Sequence, residues 1–183
     1  MKHMNRLEKA SVLVALTERL REYGSWAGET HLQKATYMLE RVLKVPFDFE
    51  FILYKHGPFS FDLREEIGCL RSDGFLGWEI KSEKYGPSLR LGPMGEALKR
   101  QFAHASQRYA EQVEFIASRL RDKNVATLER LATAVFVTVD EKCPEEQRSS
   151  RIHMLKPHVS VPEAEAALIE ADKIIREAAT VAA

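Results

Sequence analysis

The sequence predicts a mainly α chain with a small β hairpin: a winged helix-turn-helix core plus a helical C-terminal extension. Three observations predict it. Apolar residues recur at helical spacing in segments that glycine and proline separate. Two short alternating runs, Leu76-Trp78-Ile80 and Leu89-Leu91, flank Tyr85-Gly86-Pro87, which is a hairpin pattern. Helix, turn, helix and hairpin follow one another between His31 and Leu91, the order of a winged helix. The expected division is a winged-helix domain over 1–92 and a helical extension over 93–183. The extension would pack on the first part or form a dimer interface.

Composition sets bounds. The chain has 183 residues, 45% hydrophobic and 30% charged, as in ordinary globular proteins. A chain of this length buries roughly 70% of its unfolded surface, so it needs no metal or disulfide staple. The 27 basic and 27 acidic residues cancel, which argues against indiscriminate nucleic-acid binding and leaves room for a local patch. No apolar run approaches the roughly 18 residues of a membrane span, and no secretory segment opens the chain. The cytoplasm is the expected location. Cys69 reads as a small core residue beside Ile67 and Leu70, and Cys143 precedes Pro144 in a loop. Neither has a Cys-x-x-Cys partner.

Residues 5–23 read as an amphipathic helix with Leu13, Leu16, Leu20 and Tyr23 on one stripe. Gly24, Ser25 and Gly28 break it. Thr30-His31-Leu32-Gln33 matches a capping box that starts a second helix, with His31 solvated in its first turn. Leu32, Ala35, Leu39 and Val42 face inward. Lys34 would lay its stem over the core and leave its ammonium in water. Pro46 closes this helix. Phe47 to Tyr54 reads as a half-buried strand, and Gly57-Pro58 as a turn.

Ser60 is the expected N-cap of a third helix, with Asp62 in its first turn and Leu63, Ile67 and Leu70 inward. Asp73-Gly74 ends it through a left-handed glycine. The hairpin that follows would be the wing. A long helix from Pro93 to about Lys123 keeps Leu98, Phe102, Ala105, Tyr109, Val113, Ile116 and Leu120 near a 3.5-residue repeat. That stripe would be a seam between protomers or a lid across the core. Asn124 caps a further helix with Leu128, Leu131 and Val135 inward. Residues 143–159 are polar and mixed in charge, with Pro144 and Pro157 as punctuation. Ser160 and Glu163 form a capping box for a final helix whose stripe is Ala164, Leu168, Ala171, Ile175 and Ala178.

Leu32-Gln33-Lys34 with Tyr37, then Tyr54-Lys55-His56-Gly57-Pro58-Phe59-Ser60 and Leu63, resembles the YwgA-like winged-helix proteins of bacteria. It is also similar to the related Panacea domain of SocA-like antitoxins. Thr127-Leu128-Glu129-Arg130-Leu131-Ala132-Thr133, and Lys156-Pro157 with Glu163-Ala164, resemble the tail of the YwgA-like group. The resemblance implies a binding protein. Panacea relatives act through protein contact, some as adaptors for proteolysis, and no catalytic residue carries over.

One recognition face, over the turn, the third helix and the wing, could bind a partner in two ways. In the DNA reading, Ser60, Arg64 and Arg71 on the third helix face outward. Arg64 reaches a base edge, and Lys55 with Lys81, Lys84 and Arg90 contacts backbone phosphate. Asp62, Glu65, Glu66 and Asp73 oppose this by repelling phosphate. In the protein reading, His56 and Phe61, with Tyr54 and Phe59, form a docking surface. No catalytic residues, cofactor or metal are expected. There is no Gly-rich phosphate loop, no Gly-x-Ser-x-Gly, no His-Glu-x-x-His and no Cys/His cluster. The leading expectation is a DNA-contacting transcriptional regulator. The alternative is an antitoxin-like or adaptor-like protein-binding module using the same face.

Overall fold

A computed structural model of the chain describes residues 3–82 and 85–181. Asn5 opens α1 (Arg6–Glu22) with a complete capping box. The Glu8 N–H donates to the Asn5 side chain at 3.0 Å, and the Asn5 N–H donates to the Glu8 carboxylate at 2.8 Å. Ala10, Val12, Leu13, Val14, Leu16 and Leu20 are all fully buried, so α1 is wrapped on almost every side rather than along the single expected stripe. Its buried hydroxyls are bonded: Thr17 donates to the Leu13 carbonyl and Ser11 to the Phe102 carbonyl.

Helix α2 (Glu29–Arg41) begins at Gly28 with no side-chain cap, so the expected Thr30/Gln33 capping box does not form. His31 is buried too, its ring nitrogen 3.1 Å from the Lys123 carbonyl oxygen, and that burial lowers its pKa. Phe47, Phe49 and Phe51 alternate inward as expected. They form no ladder because Asp48 sits at φ +57°, which turns the chain out of extended conformation. Regular pairing starts later, in the antiparallel hairpin of β1 (Ile52–Tyr54) and β2 (Gly57–Phe59). Gly57 and Pro58 therefore belong to a strand, and Lys55-His56 makes the turn.

Helix α3 (Phe61–Ser72) is capped by Ser60, whose hydroxyl accepts from the Leu63 N–H at 3.2 Å. Leu63, Ile67 and Leu70 are buried. Cys69 is exposed on the opposite face, which corrects its expected core position. Gly74, at φ +74°, ends the helix. The second hairpin pairs β3 (Leu76–Glu79) with β4 (Ser88–Leu91) antiparallel, Trp78 facing Leu89. Ile80 lies beyond β3 and is 81% exposed, not inward.

The expected long helix is three: α4 (Gly95–Gln101), α5 (Ala103–Arg108) and α6 (Ala110–Leu120), broken at Phe102 and Tyr109. The breaks let the apolar stripe bend around α1. Leu98, Ala105, Val113, Ile116 and Leu120 are buried within the chain, as the lid expectation requires and a seam between protomers does not. Asn124 caps α7 (Val125–Val139) through the Thr127 N–H. The polar stretch between Pro144 and Pro157 contains α8 (Arg148–Leu155). Ser160 and Glu163 launch α9 (Val161–Ala178) by the expected capping box, with Ile174 rather than Ile175 inward. One apolar core runs from α1 and α2 through α6, α7 and α9. Among the described residues no helix is long and apolar enough to cross a membrane.

Candidate functional site around the first hairpin

Pro58 organises this region. It has no N–H, so the Leu53–Pro58 pair cannot exchange hydrogen bonds. The Pro58 carbonyl therefore points away from β1, toward α2, where Lys34 donates to it at 2.8 Å. Two residues on, Gln33 donates to the Ser60 carbonyl at 2.8 Å and accepts from the Ser60 N–H at 3.0 Å. Two side chains of α2 thus close the outer edge of β2 in place of a third strand. This corrects three expectations. Gln33 is not a cap of its own helix. The Lys34 ammonium is buried, with 1% of the residue exposed. Ser60 is fully buried and cannot meet a phosphate.

Helix α7 covers the other side of β2. Gly57 has φ +84°, and a Cβ there would lie 3.3 Å from the Thr133 hydroxyl and 3.4 Å from the Glu129 carbonyl oxygen. Glycine lets the turn bend and lets α7 approach.

Glu129 then gathers the cations. It is 6% exposed. His56 Nδ1 lies 3.4 Å from its Oε2, and His158 Nε2 lies 3.3 Å from its Oε1. Lys156 Nζ is 3.5 Å from Oε1 and donates to the Tyr54 and Lys55 carbonyls, each at 2.6 Å. Lys156 is as buried as Glu129, whereas the two imidazoles are mostly exposed. One buried carboxylate therefore faces two buried ammonium groups and two imidazoles. Among the described residues no trio of His, Cys, Asp or Glu is arranged to hold a metal ion.

Burial lowers the Lys34 pKa to about 8; Glu129 opposes that shift and Lys156 adds to it. The unfolded chain holds this proton up to the ordinary value of 10.5, so between the two values it binds more protons than the folded chain. Stability then rises with pH across that window, by about 3 kcal/mol in full. Urea unfolding at several pH values above neutrality should show this rise in the native chain and a flatter profile in Lys34→Met. Equal slopes in the two proteins would contradict it.

On the outer side of the hairpin, Tyr54, Phe59 and Phe61 make an aromatic cluster with ring centroids 5.1 to 5.7 Å apart. Tyr54 is 51% exposed, Phe61 48% and neighbouring Ile52 43%. Three large apolar residues on one surface are an unusual exposure for ordinary packing.

The residues expected to meet DNA are scattered and mostly engaged. Arg64 is exposed, with Nε 3.7 Å from Glu29. Arg71 is exposed and lies over the Trp78 ring at 4.6 Å. Lys81 sits 3.8 Å from Glu79 and 5.6 Å from the Trp26 ring centroid. Arg90 is exposed and donates to the Leu91 carbonyl. Lys55 is exposed at the turn of the first hairpin, on a different element from the other four. Lys84 lies outside the described residues. Two of the opposing carboxylates, Glu66 and Asp73, are held by Arg6 at 3.1 and 2.7 Å. On the exposed face of α3, Asp62 and Glu65 balance Arg64 and Arg71.

Gln33 was expected only as a helix cap, and Glu129, Lys156 and His158 had no expected place in the site. Pro58 between apolar residues was the available signal, because a strand containing proline needs outside partners for its free edge. The segments Leu32-Gln33-Lys34, Tyr54 to Ser60, Thr127 to Thr133 and Lys156-Pro157 all meet here. A scan against protein-family models finds no matching family, and a search of curated proteins finds no significant match.

Proposed function

We propose that the chain is a non-catalytic protein-binding module that grips a polypeptide through the surface of the first hairpin and the start of α3. The observation that carries this reading is the exposed cluster of Ile52, Tyr54 and Phe61. Aromatic side chains of this kind supply most of the energy at protein interfaces. The polar groups beneath support the non-catalytic part. Lys34 and Lys156 are spent on hairpin carbonyls, and Glu129 is buried among cations, so these groups act as scaffold. The resemblance to YwgA-like and Panacea proteins agrees with a role in protein contact.

DNA contact in a winged-helix manner is the second reading. One observation favours it: Arg64 and Arg71 stay exposed on a helix that runs directly into the β3–β4 hairpin. The balanced charge of that face ranks it lower.

Co-purification from the producing cell separates the two. A protein partner should survive Arg64→Glu, be lost with Phe61→Ser and depend little on salt. Phe61 is half-exposed at the first turn of α3, so its replacement spares the core. A duplex DNA ligand lost with Arg64→Glu, retained with Phe61→Ser and weakened steeply by salt would favour the second reading instead.

A further inference from the structure

The two edges of the first hairpin are treated differently. Gln33 and Lys34 occupy the outer edge of β2. Among the described residues no such closure is made on β1. Because Leu53 faces Pro58, the Leu53 N–H and C=O point away from β2. Among the described residues nothing outside the hairpin donates to or accepts from them. Among the described residues the hairpin is a two-stranded sheet, so β1 pairs with no second strand there. Ile52 and Tyr54, two apart, stand exposed on one face, beside Phe61. An open edge beside an apolar surface is the arrangement that accepts an added strand.

Charge fixes the polarity of the visitor. At the turn end of β1 stand Lys55, His56 and His158, all exposed. Among the described residues two carboxylates lie near them: Glu129, which is buried, and Glu163, which acts on His158 but is engaged by the Ser160 hydroxyl and Arg130. At the other end Glu50 is exposed.

We infer that β1 accepts an extended polypeptide segment as a third strand, with alternate apolar side chains over Ile52, Tyr54 and Phe61 and a carboxylate beside Lys55 and His56. This inference rests on the protein-binding reading and specifies its partner. The backbone of the segment pairs with Leu53, and its side chains choose the register.

The test uses the full-length chain and a display library of short random peptides. Selected peptides should carry apolar residues at alternate positions and an acidic residue at one end, and Phe61→Ser should abolish their binding. N-methylation of the amides that pair with β1 should weaken binding roughly tenfold or more, while methylation of the intervening amides leaves it unchanged. Lys55→Glu should remove the preference for the acidic residue. Phe61-dependent peptides that tolerate every N-methylation, or bind as helices, would overturn strand addition and leave the protein-binding reading standing. A selection yielding no Phe61-dependent peptide would overturn both.

Discussion

Glu129→Leu should destabilise the chain by about 3 to 5 kcal/mol in urea unfolding, the range for removing one partner of a buried charge pair. Among the described residues Glu129 is the carboxylate within 4 Å of Lys156, His56 and His158, and it also stabilises the charged form of Lys34. Leucine would leave the Lys156 ammonium buried with only carbonyl acceptors. The Lys34 pKa should fall further, so that its proton is lost nearer neutrality. Glu129→Gln keeps the volume and loses the charge, and should recover only part of the loss. A change below about 1 kcal/mol for Glu129→Leu would mean that the cations are satisfied by the hairpin carbonyls alone.

The second large effect concerns Gln33. Gln33→Leu should cost about 1 to 3 kcal/mol, because it orphans the buried Ser60 N–H, while the Ser60 carbonyl keeps the Arg64 N–H at 3.2 Å. Ser60 also caps α3, so the loss spreads to the helix that carries Phe61. Gln33→Glu discriminates further. A carboxylate can accept from the Ser60 N–H, but it places a charge in a fully buried site against the Ser60 carbonyl, so it should not restore stability at neutral pH. Amide hydrogen exchange at Ser60 should speed up most in Gln33→Leu, which removes the acceptor of that N–H. Unchanged exchange would show that the edge of β2 is closed by packing rather than by this side chain.

Much of the architecture was legible in the sequence because it depends on local signals. Asn124 and Ser160 cap the helices expected of them, and Ser60 does so for α3. Gly74 and the alternation across the second hairpin fix the end of α3 and the pairing of β3 with β4. These features are read over a few residues, so tertiary context seldom overrides them.

The misreadings arose where a residue serves something distant in the chain. Thr30 and Gln33 have the spacing of a capping box, yet Gln33 is drawn to Ser60, 27 residues away. Lys34 is drawn to Pro58, and burial of its amine could not be seen without the hairpin. The 3.5-residue repeat after Pro93 was real. Its purpose was hidden, since a stripe that wraps a central helix in three pieces has the same period as a dimer seam. The alternation at Phe47 to Phe51 likewise reported burial correctly and pairing wrongly, because one left-handed residue, Asp48, redirects the strand without changing which side chains face inward.

The candidate site divided along the same line. Phe61 and His56 were visible as residues, and both lie exposed on the first hairpin and the start of α3. Ser60 has the composition of a phosphate contact and the burial of a core residue. Glu129, Lys156 and His158 come from α7 and from the end of α8, and only the packing of those helices on the hairpin brings them together.

The most direct measurement is the hydrogen-exchange footprint left on the full-length chain by a bound macromolecule, recorded separately with a Phe61-dependent polypeptide and with duplex DNA. The polypeptide should slow exchange at Ile52, Leu53 and Tyr54 and around Phe61, and leave Arg71, Arg90 and the second hairpin unchanged, while DNA should protect neither region. Protection by DNA concentrated at Arg64, Arg71 and the second hairpin, with the first hairpin exchanging freely under either ligand, would contradict the account.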